Sequence, residues 1–117
     1  MKTALQNRFG DWYAKNIYQR VPNPYQAALP QALKEKVADK ANAFFSGSLP
    51  LQLTDSHPDY PALFLANYLL GGRPNARLSE RIRQKEGISY GVGSDLVVSA
   101  TDDMAMFSVF AIFAPQN

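Results

Sequence analysis

The sequence predicts an α+β domain in which helices pack against an antiparallel β-sheet. Of its 117 residues, 46% are hydrophobic and 19% are charged, a balance typical of chains that bury a core. From residue 40 onwards the local patterns run in the order strand, helix, helix, strand, strand. Prolines interrupt the first 38 residues, so we predict a linker and connector over residues 1–38 and a domain over residues 39–117.

The connector carries aromatic side chains but lacks a regular pattern. Trp12 and Tyr18 are scattered ahead of Pro22, Pro24 and Pro30, which disfavours a long helix or strand. We expect an extended segment that packs its aromatic side chains onto something else, with a short helical turn at residues 31–36.

The domain begins with a predicted strand and a predicted helix. The run over residues 40–53 is typical of a strand that ends near Pro50, because proline donates no hydrogen bond to a ladder. A capping residue and Pro58 then start a helix over residues 59–70, and Gly71-Gly72 ends it. This helix is apolar nearly all round, which predicts burial on most of its faces.

A second helix is predicted over residues 76–86, capped by Asn75 and closed by Gly87. Two strands follow, over residues 89–99 and 104–113, joined by a polar turn. The last strand is apolar on both faces, as expected for a central strand covered on both sides.

Several kinds of site are excluded by composition. The chain has no cysteine and one histidine, His57, so it contains no His-x-x-Glu-His or His-Glu-x-x-His zinc motif. His57 precedes a proline-led helix, where a capping or solvent-facing role is the simple interpretation. Residues 71–74 lack the ending of a phosphate-binding loop. We predict no metal ligands and no catalytic residues in this chain by itself.

Arg83 and Tyr90 are the candidate functional residues. Gly87 reverses the chain between them, and Gly91 and Gly93 point to the face opposite Tyr90, where they permit close approach of another backbone. A guanidinium and a phenol that converge at this turn offer donors to a peptide carbonyl or a developing oxyanion. The simpler alternatives are a helical ion pair of Arg83 with Glu80 or Glu86 and a cross-strand packing role for Tyr90.

Almost the whole chain resembles the C-terminal half of insulinase/pitrilysin zinc peptidases, most closely the long bacterial members built of two halves. The most specific stretch is ARLSERIRQKEGISYGVGS at residues 76–94, supported by DKANA at 39–43, DYPAL at 59–63 and LLGG at 69–72. FGDW at 9–12 and YQRVP at 18–22 resemble the linker that enters that half. Arg73-Pro74 and Ala76 depart from the family pattern, which often has a third glycine, an aromatic and a serine there.

The resemblance implies a fold and a division of labour. It implies an incomplete metallohydrolase-like domain of the insulinase/processing-peptidase type, from a zinc metalloendopeptidase whose two halves close over a peptide substrate. Zinc would be held outside this chain, by an N-terminal catalytic half. Arg83 and Tyr90 match the arginine and tyrosine that bind substrate and stabilise the transition state in the family.

The alternatives and the remaining expectations concern partners and compartment. A scaffold or interaction domain of the same family is the alternative function. Nucleic-acid binding through Arg77, Arg81 and Lys85 is a third hypothesis, but a net charge of only +2 disfavours it, and we expect no nucleic-acid and no membrane partner. A homo-oligomer is possible. The long bacterial members suggest a periplasmic location, with the cytoplasm as the alternative.

Overall fold

The computed structural model describes residues 1–114 and confirms an α+β domain with an open antiparallel sheet. The last three residues of the predicted domain, 115–117, lie outside the described part. The elements are three helices, α1 (Lys2–Phe9), α2 (Tyr60–Leu70) and α3 (Ser79–Lys85), and three strands, β1 (Ala43–Leu51), β2 (Ser89–Val98) and β3 (Ala105–Phe113).

The three strands form one sheet in the order β1-β3-β2. β3 runs antiparallel to both neighbours, so the predicted central position of this strand is confirmed. Leu49 of β1 and Leu96 of β2 flank Phe107 in the register. Among residues 1–114, the buried apolar residues are Leu53, Ala76 and Ala105.

β1 ends at Leu51, one residue after Pro50, so the prediction that the strand ends near Pro50 is confirmed, although Pro50 itself still lies opposite Met106. β1 pairs only with β3 and is therefore an edge strand. An edge strand tolerates a residue without an N–H because one of its sides needs no ladder partner.

α2 begins at Tyr60 with Pro61 in its first turn and packs on the sheet along one face. Leu63 and Leu70 of that face are half-buried and line a small apolar cleft of about 230 Å³ with Leu49 and Phe107. Phe64 and Leu65, on the outer side, are more than half exposed. The expected burial on most faces is therefore wrong for this chain, because only the sheet covers the helix.

α3 is a π-helix rather than the α-helix predicted over residues 76–86. The Glu86 N–H donates to the C=O of Arg81, five residues earlier (3.1 Å). Asn75 does not cap it: the N-cap position is Leu78, and no side chain caps this end. The wider turn means that side-chain positions worked out at ~100° per residue do not apply here.

The connector contains α1, which was not predicted, and no helix or strand over residues 10–42. The helical turn predicted at residues 31–36 is absent; these residues are exposed, and a single turn rarely forms without packing. Trp12 and Tyr18 are each 81% exposed, whereas Tyr25 is half-buried.

Polar contacts of Arg20 and Asn23 tie the connector to the domain. The Arg20 guanidinium donates to Asp102 Oδ2 (2.7 Å), in the turn between β2 and β3. This hydrogen bond, helped by the backbone N–H of Asn23, holds the pKa of the Asp102 carboxyl below its usual value and raises the pKa of Arg20. The connector therefore runs past the turn end of the sheet.

Within the described residues, the helices are all too short or too polar to cross a bilayer.

Candidate functional site

The candidate site is a groove of about 540 Å³ along the outer edge of β2. The loop at residues 71–74 forms one wall, β2 residues 90–95 form the other, and Ser79 and Arg83 of α3 also line it. Phe110 of β3 contributes apolar surface beside Gly93.

The loop approaches β2 closely because Gly71 has no side chain. A Cβ at Gly71 would lie 2.5 Å from the backbone nitrogen of Ser94, so no other residue fits without movement of the backbone. The Ser94 N–H donates to the C=O of Gly71 (3.2 Å), and Ser94 Oγ donates to Asn67 Oδ1 (2.8 Å). These contacts fix the end of α2 against the strand that carries Tyr90.

The turn between α3 and β2 depends on Gly87, whose φ is +64°. This left-handed conformation suits glycine. Beyond the glycine, the Ile88 N–H donates back to the C=O of Ile82 (3.1 Å) and closes the helix. The predicted role of Gly87 as the end of the helix is confirmed, and the turn places Arg83 and Tyr90 on its two sides.

Tyr90 lies in a β-bulge. Ser89 pairs with Phe113 and Gly91 with Ile112, which leaves Tyr90 without a partner on β3. Tyr90 is 83% exposed, so the alternative of a cross-strand packing role is wrong. Bulges commonly redirect a side chain next to a functional site.

Ser89 holds the bulge in place. Its side chain is buried, and Oγ lies 2.8 Å from the C=O of Gly91 and 2.6 Å from the C=O of Ile112. One hydroxyl hydrogen is thus shared between two carbonyls on either side of the irregularity. Reasoning from the sequence missed this residue, and no signal in the sequence marks it beyond its place before Tyr90.

Arg83 and Tyr90, the two residues singled out from the sequence, are brought together. The guanidinium carbon of Arg83 lies 5.2 Å from the centre of the Tyr90 ring, a cation–π distance. Glu86 pairs with Arg81 instead (2.8 Å), and within residues 1–114 neither Glu80 nor Glu86 forms an ion pair with Arg83. The predicted alternative of a helical ion pair at Arg83 is therefore wrong.

Arg73 is a second arginine of the groove, and from the sequence it was predicted only to depart from the family pattern. Its guanidinium carbon lies 4.7 Å from the centre of the Tyr68 ring at the end of α2. Arg73 and Arg83 thus both rest on aromatic rings and both line the groove.

The residues present do not fit a metal site. His57 Nδ1 accepts the N–H of Asp59 at the start of α2 (3.1 Å), a local structural role. Among residues 1–114, no group of three or more histidines, cysteines or acidic residues is placed to hold a metal ion.

The comparison with protein families gives the identity of the domain. A family model described as the peptidase M16 inactive domain matches residues 1–117. The chain therefore belongs to the peptidase M16 family, and the match is consistent with the C-terminal, non-catalytic half of such a peptidase. No curated protein matches the chain.

Proposed function

We propose that this chain is the substrate-orienting part of a zinc endopeptidase. It closes over an extended peptide while a separate N-terminal half holds the zinc ion. The observation that carries the proposal is the Arg83–Tyr90 pair, which stands on the wall of an open groove with no carboxylate bound to the arginine among the described residues.

Arg83 acts on the bound substrate before reaction. A guanidinium presents several N–H donors in one plane, and stacking on the Tyr90 ring leaves its edges available. It donates to a backbone carbonyl oxygen of the peptide and holds the peptide in register. Loss of this contact weakens ground-state binding, which appears as a higher KM.

Tyr90 acts in the transition state, when negative charge develops on the carbonyl oxygen of the substrate. Its phenol donates a hydrogen bond to the carbonyl oxygen as that oxygen becomes an oxyanion. The bulge holds the ring out of the sheet and keeps the donor positioned without cross-strand contacts. A donor that is positioned in advance stabilises the transition state more than the ground state.

The test is Tyr90→Phe in the peptidase that combines this chain with its zinc-binding half. The expected result is a fall in kcat of roughly a hundred- to a thousandfold with a small change in KM, because loss of one such donor costs ~2.7–4 kcal/mol. Tyr18→Phe, an exposed tyrosine of the connector, is the matched control and should keep full activity.

Full activity of Tyr90→Phe with an unchanged circular-dichroism spectrum would show that the hydroxyl takes no part. Retained activity in Arg83→Ala as well would favour the alternative of a scaffold domain, since neither groove residue would then act on substrate.

A further inference from the structure

Ser79 of α3 is a buried polar residue that also lines the groove. Its exposed fraction is only 5%, yet its hydroxyl takes part in no hydrogen bond among residues 1–114. In the same part of the chain, no fully enclosed side-chain nitrogen or oxygen lacks a partner, so this hydroxyl keeps a small accessible surface. Because the residue lines the groove, that surface opens into the groove.

The other buried serines of the described residues have partners inside the chain. Ser89 Oγ contacts two backbone carbonyls, and Ser94 Oγ donates to Asn67 Oδ1. A buried hydroxyl without a partner costs stability, so nearly all such groups are paired in folded proteins. The unpaired hydroxyl of Ser79, in the wall of a groove, therefore indicates a partner that comes from outside the chain.

Ser79 and Arg83 lie on the same side of α3. The hydrogen bonds of a π-helix span five residues, so residues four positions apart come close to alignment along the axis, and both of these residues line the groove. A guanidinium has N–H donors and no acceptor, whereas a hydroxyl both donates and accepts. The pair therefore offers a donor for a carbonyl and an acceptor for an N–H.

A peptide backbone carries this combination of groups. In an extended peptide, the C=O and the N–H of one residue point to the same side of the chain. A single residue of a bound peptide can therefore give its C=O to Arg83 and its N–H to Ser79. Both contacts are with α3.

We propose that Ser79 is a further substrate-contacting residue, whose hydroxyl accepts the backbone N–H of the peptide residue whose carbonyl Arg83 holds. The inference rests on the proposed function, in which Arg83 binds a peptide carbonyl, and adds a second anchor on the same helix. The contact forms when the substrate binds and persists in the transition state, so its loss raises KM and leaves kcat unchanged.

The stability of Ser79→Ala separates a substrate-binding hydroxyl from a structural one. The change removes a hydroxyl that has no partner in the folded chain and introduces a strong helix former. We expect the Tm of the 117-residue chain to stay the same or rise. Ser89→Ala, which removes two part-buried hydrogen bonds, should lower the Tm. An equal fall in both variants would show that the Ser79 hydroxyl has a partner within the chain, and overturns the inference.

Kinetics test the contact with substrate in the peptidase that combines this chain with its zinc-binding half. Ser79→Ala should raise KM about three- to tenfold without changing kcat. Ser48→Ala removes a hydroxyl outside the groove lining and should keep both constants. An unchanged KM in Ser79→Ala overturns the inference, and a Tyr90→Phe enzyme with a lowered kcat would show that the proposed function stands without it.

Ester substitution in the substrate identifies the partner atom. The probes are fluorogenic peptides in each of which an ester oxygen replaces one backbone N–H outside the scissile bond. At one position the ester should raise the KM of the parent enzyme about three- to tenfold, and it should cause no further rise in Ser79→Ala, because the acceptor is already gone. Equal ester effects in the two enzymes at every position overturn the proposal. This non-additivity beside a fully active Tyr90→Phe enzyme would reject only the proposed role of Tyr90.

Discussion

The position of Tyr90 depends on the preceding residue, Ser89. The bulge would be free to slip back into regular register if nothing fixed the carbonyls of Gly91 and Ile112, and the Ser89 hydroxyl is the group that contacts both. Because a one-residue slip turns a side chain to the other face of a strand, the orientation of Tyr90 depends on this buried contact. We regard Ser89 as a positioning residue for the site.

Ser89→Ala should therefore reduce kcat of the complete peptidase while KM changes little. The variant also removes two part-buried hydrogen bonds, at a cost of about 1–3 kcal/mol in the free energy of unfolding. Ser89→Thr keeps the hydroxyl and should restore part of kcat. Ser48→Ala, which removes a hydroxyl that contacts Ser108 elsewhere in the sheet, is the control. If Ser89→Ala and Ser48→Ala lower stability but both keep kcat, Ser89 has only a structural role.

At the scale of elements, the turn between α3 and β2 joins the two candidate residues. Gly87 has a positive φ, yet a Cβ there would meet nothing within 4 Å. The need for glycine is thus conformational and not a matter of space. Residues that tolerate the left-handed region should replace it, and β-branched residues should not.

Gly87→Asn and Gly87→Val test this distinction. Gly87→Val should lower the free energy of unfolding by about 1–2 kcal/mol or more, a fall in Tm of about 4 °C or more, and it should also lower kcat by displacing Arg83 from Tyr90. Gly87→Asn should come close to the parent protein in both measurements. Equal behaviour of the two variants would contradict the requirement for a positive φ.

The elements were predictable from the sequence to the extent that each followed a local rule. The helix-strand-strand order over residues 60–113 follows from hydrophobic patterns, glycine ends and a polar turn, and the central place of β3 follows from its two apolar faces. The end of β1 near Pro50 followed as well, whereas the pairing of Pro50 itself with Met106 did not, because it depends on the strand lying at an edge. The π-geometry of α3 and the bulge at Tyr90 did not follow either, since both are irregularities in the backbone hydrogen bonding that no residue pattern marks.

The candidate site was predictable in its residues but not in its geometry. Arg83 and Tyr90 were identified from the turn and from a family resemblance, while the support given by Ser89 and the presence of Arg73 in the groove required coordinates. Contacts between residues distant in the chain, such as Ser94 with Asn67, are set by packing and leave no periodic signal.

On the scale of the whole molecule, the uncovered outer side of α2 predicts association. Phe64, Leu65, Tyr68 and Leu69 are each between 42% and 55% exposed and adjoin one another on the helix. Contiguous apolar surface of this kind favours contacts with other chains. We expect dimers or larger species of the 117-residue chain in multi-angle light scattering.

The double variant Leu65→Gln, Leu69→Gln should shift the chain towards monomer. Leu29→Gln in the connector changes one isolated leucine that is 90% exposed and should have no such effect. A monomeric parent chain at high concentration would contradict the prediction.

The connector's attachment should depend on pH through Asp102. Its pKa is lowered in the folded protein, first by the hydrogen bond from Arg20. The stabilisation is therefore fully present above the ordinary aspartate pKa and is lost as pH falls through the lowered folded value. Arg20 has a raised pKa and remains charged throughout this window. Carbon-13 titration of the Asp102 carboxyl should show a midpoint below that of an unfolded peptide.

Asp102→Asn should accelerate trypsin cleavage after Arg20 at neutral pH, because the arginine is no longer held by a carboxylate. Asp103→Asn removes the same charge from the neighbouring residue, which contacts Gln52 instead (2.7 Å), and should cleave at the parent rate. Equal rates for all three proteins would show that the contact with Asp102 does not hold the connector.

Both edges of the sheet carry a feature that discourages the addition of further strands. On β1, Pro50 has no N–H to offer. On β2, the Ser94 N–H is already bonded to the C=O of Gly71. Because a fibre grows only when the edge of one molecule pairs with the edge of the next, these two features protect the sheet against edge-to-edge polymerisation.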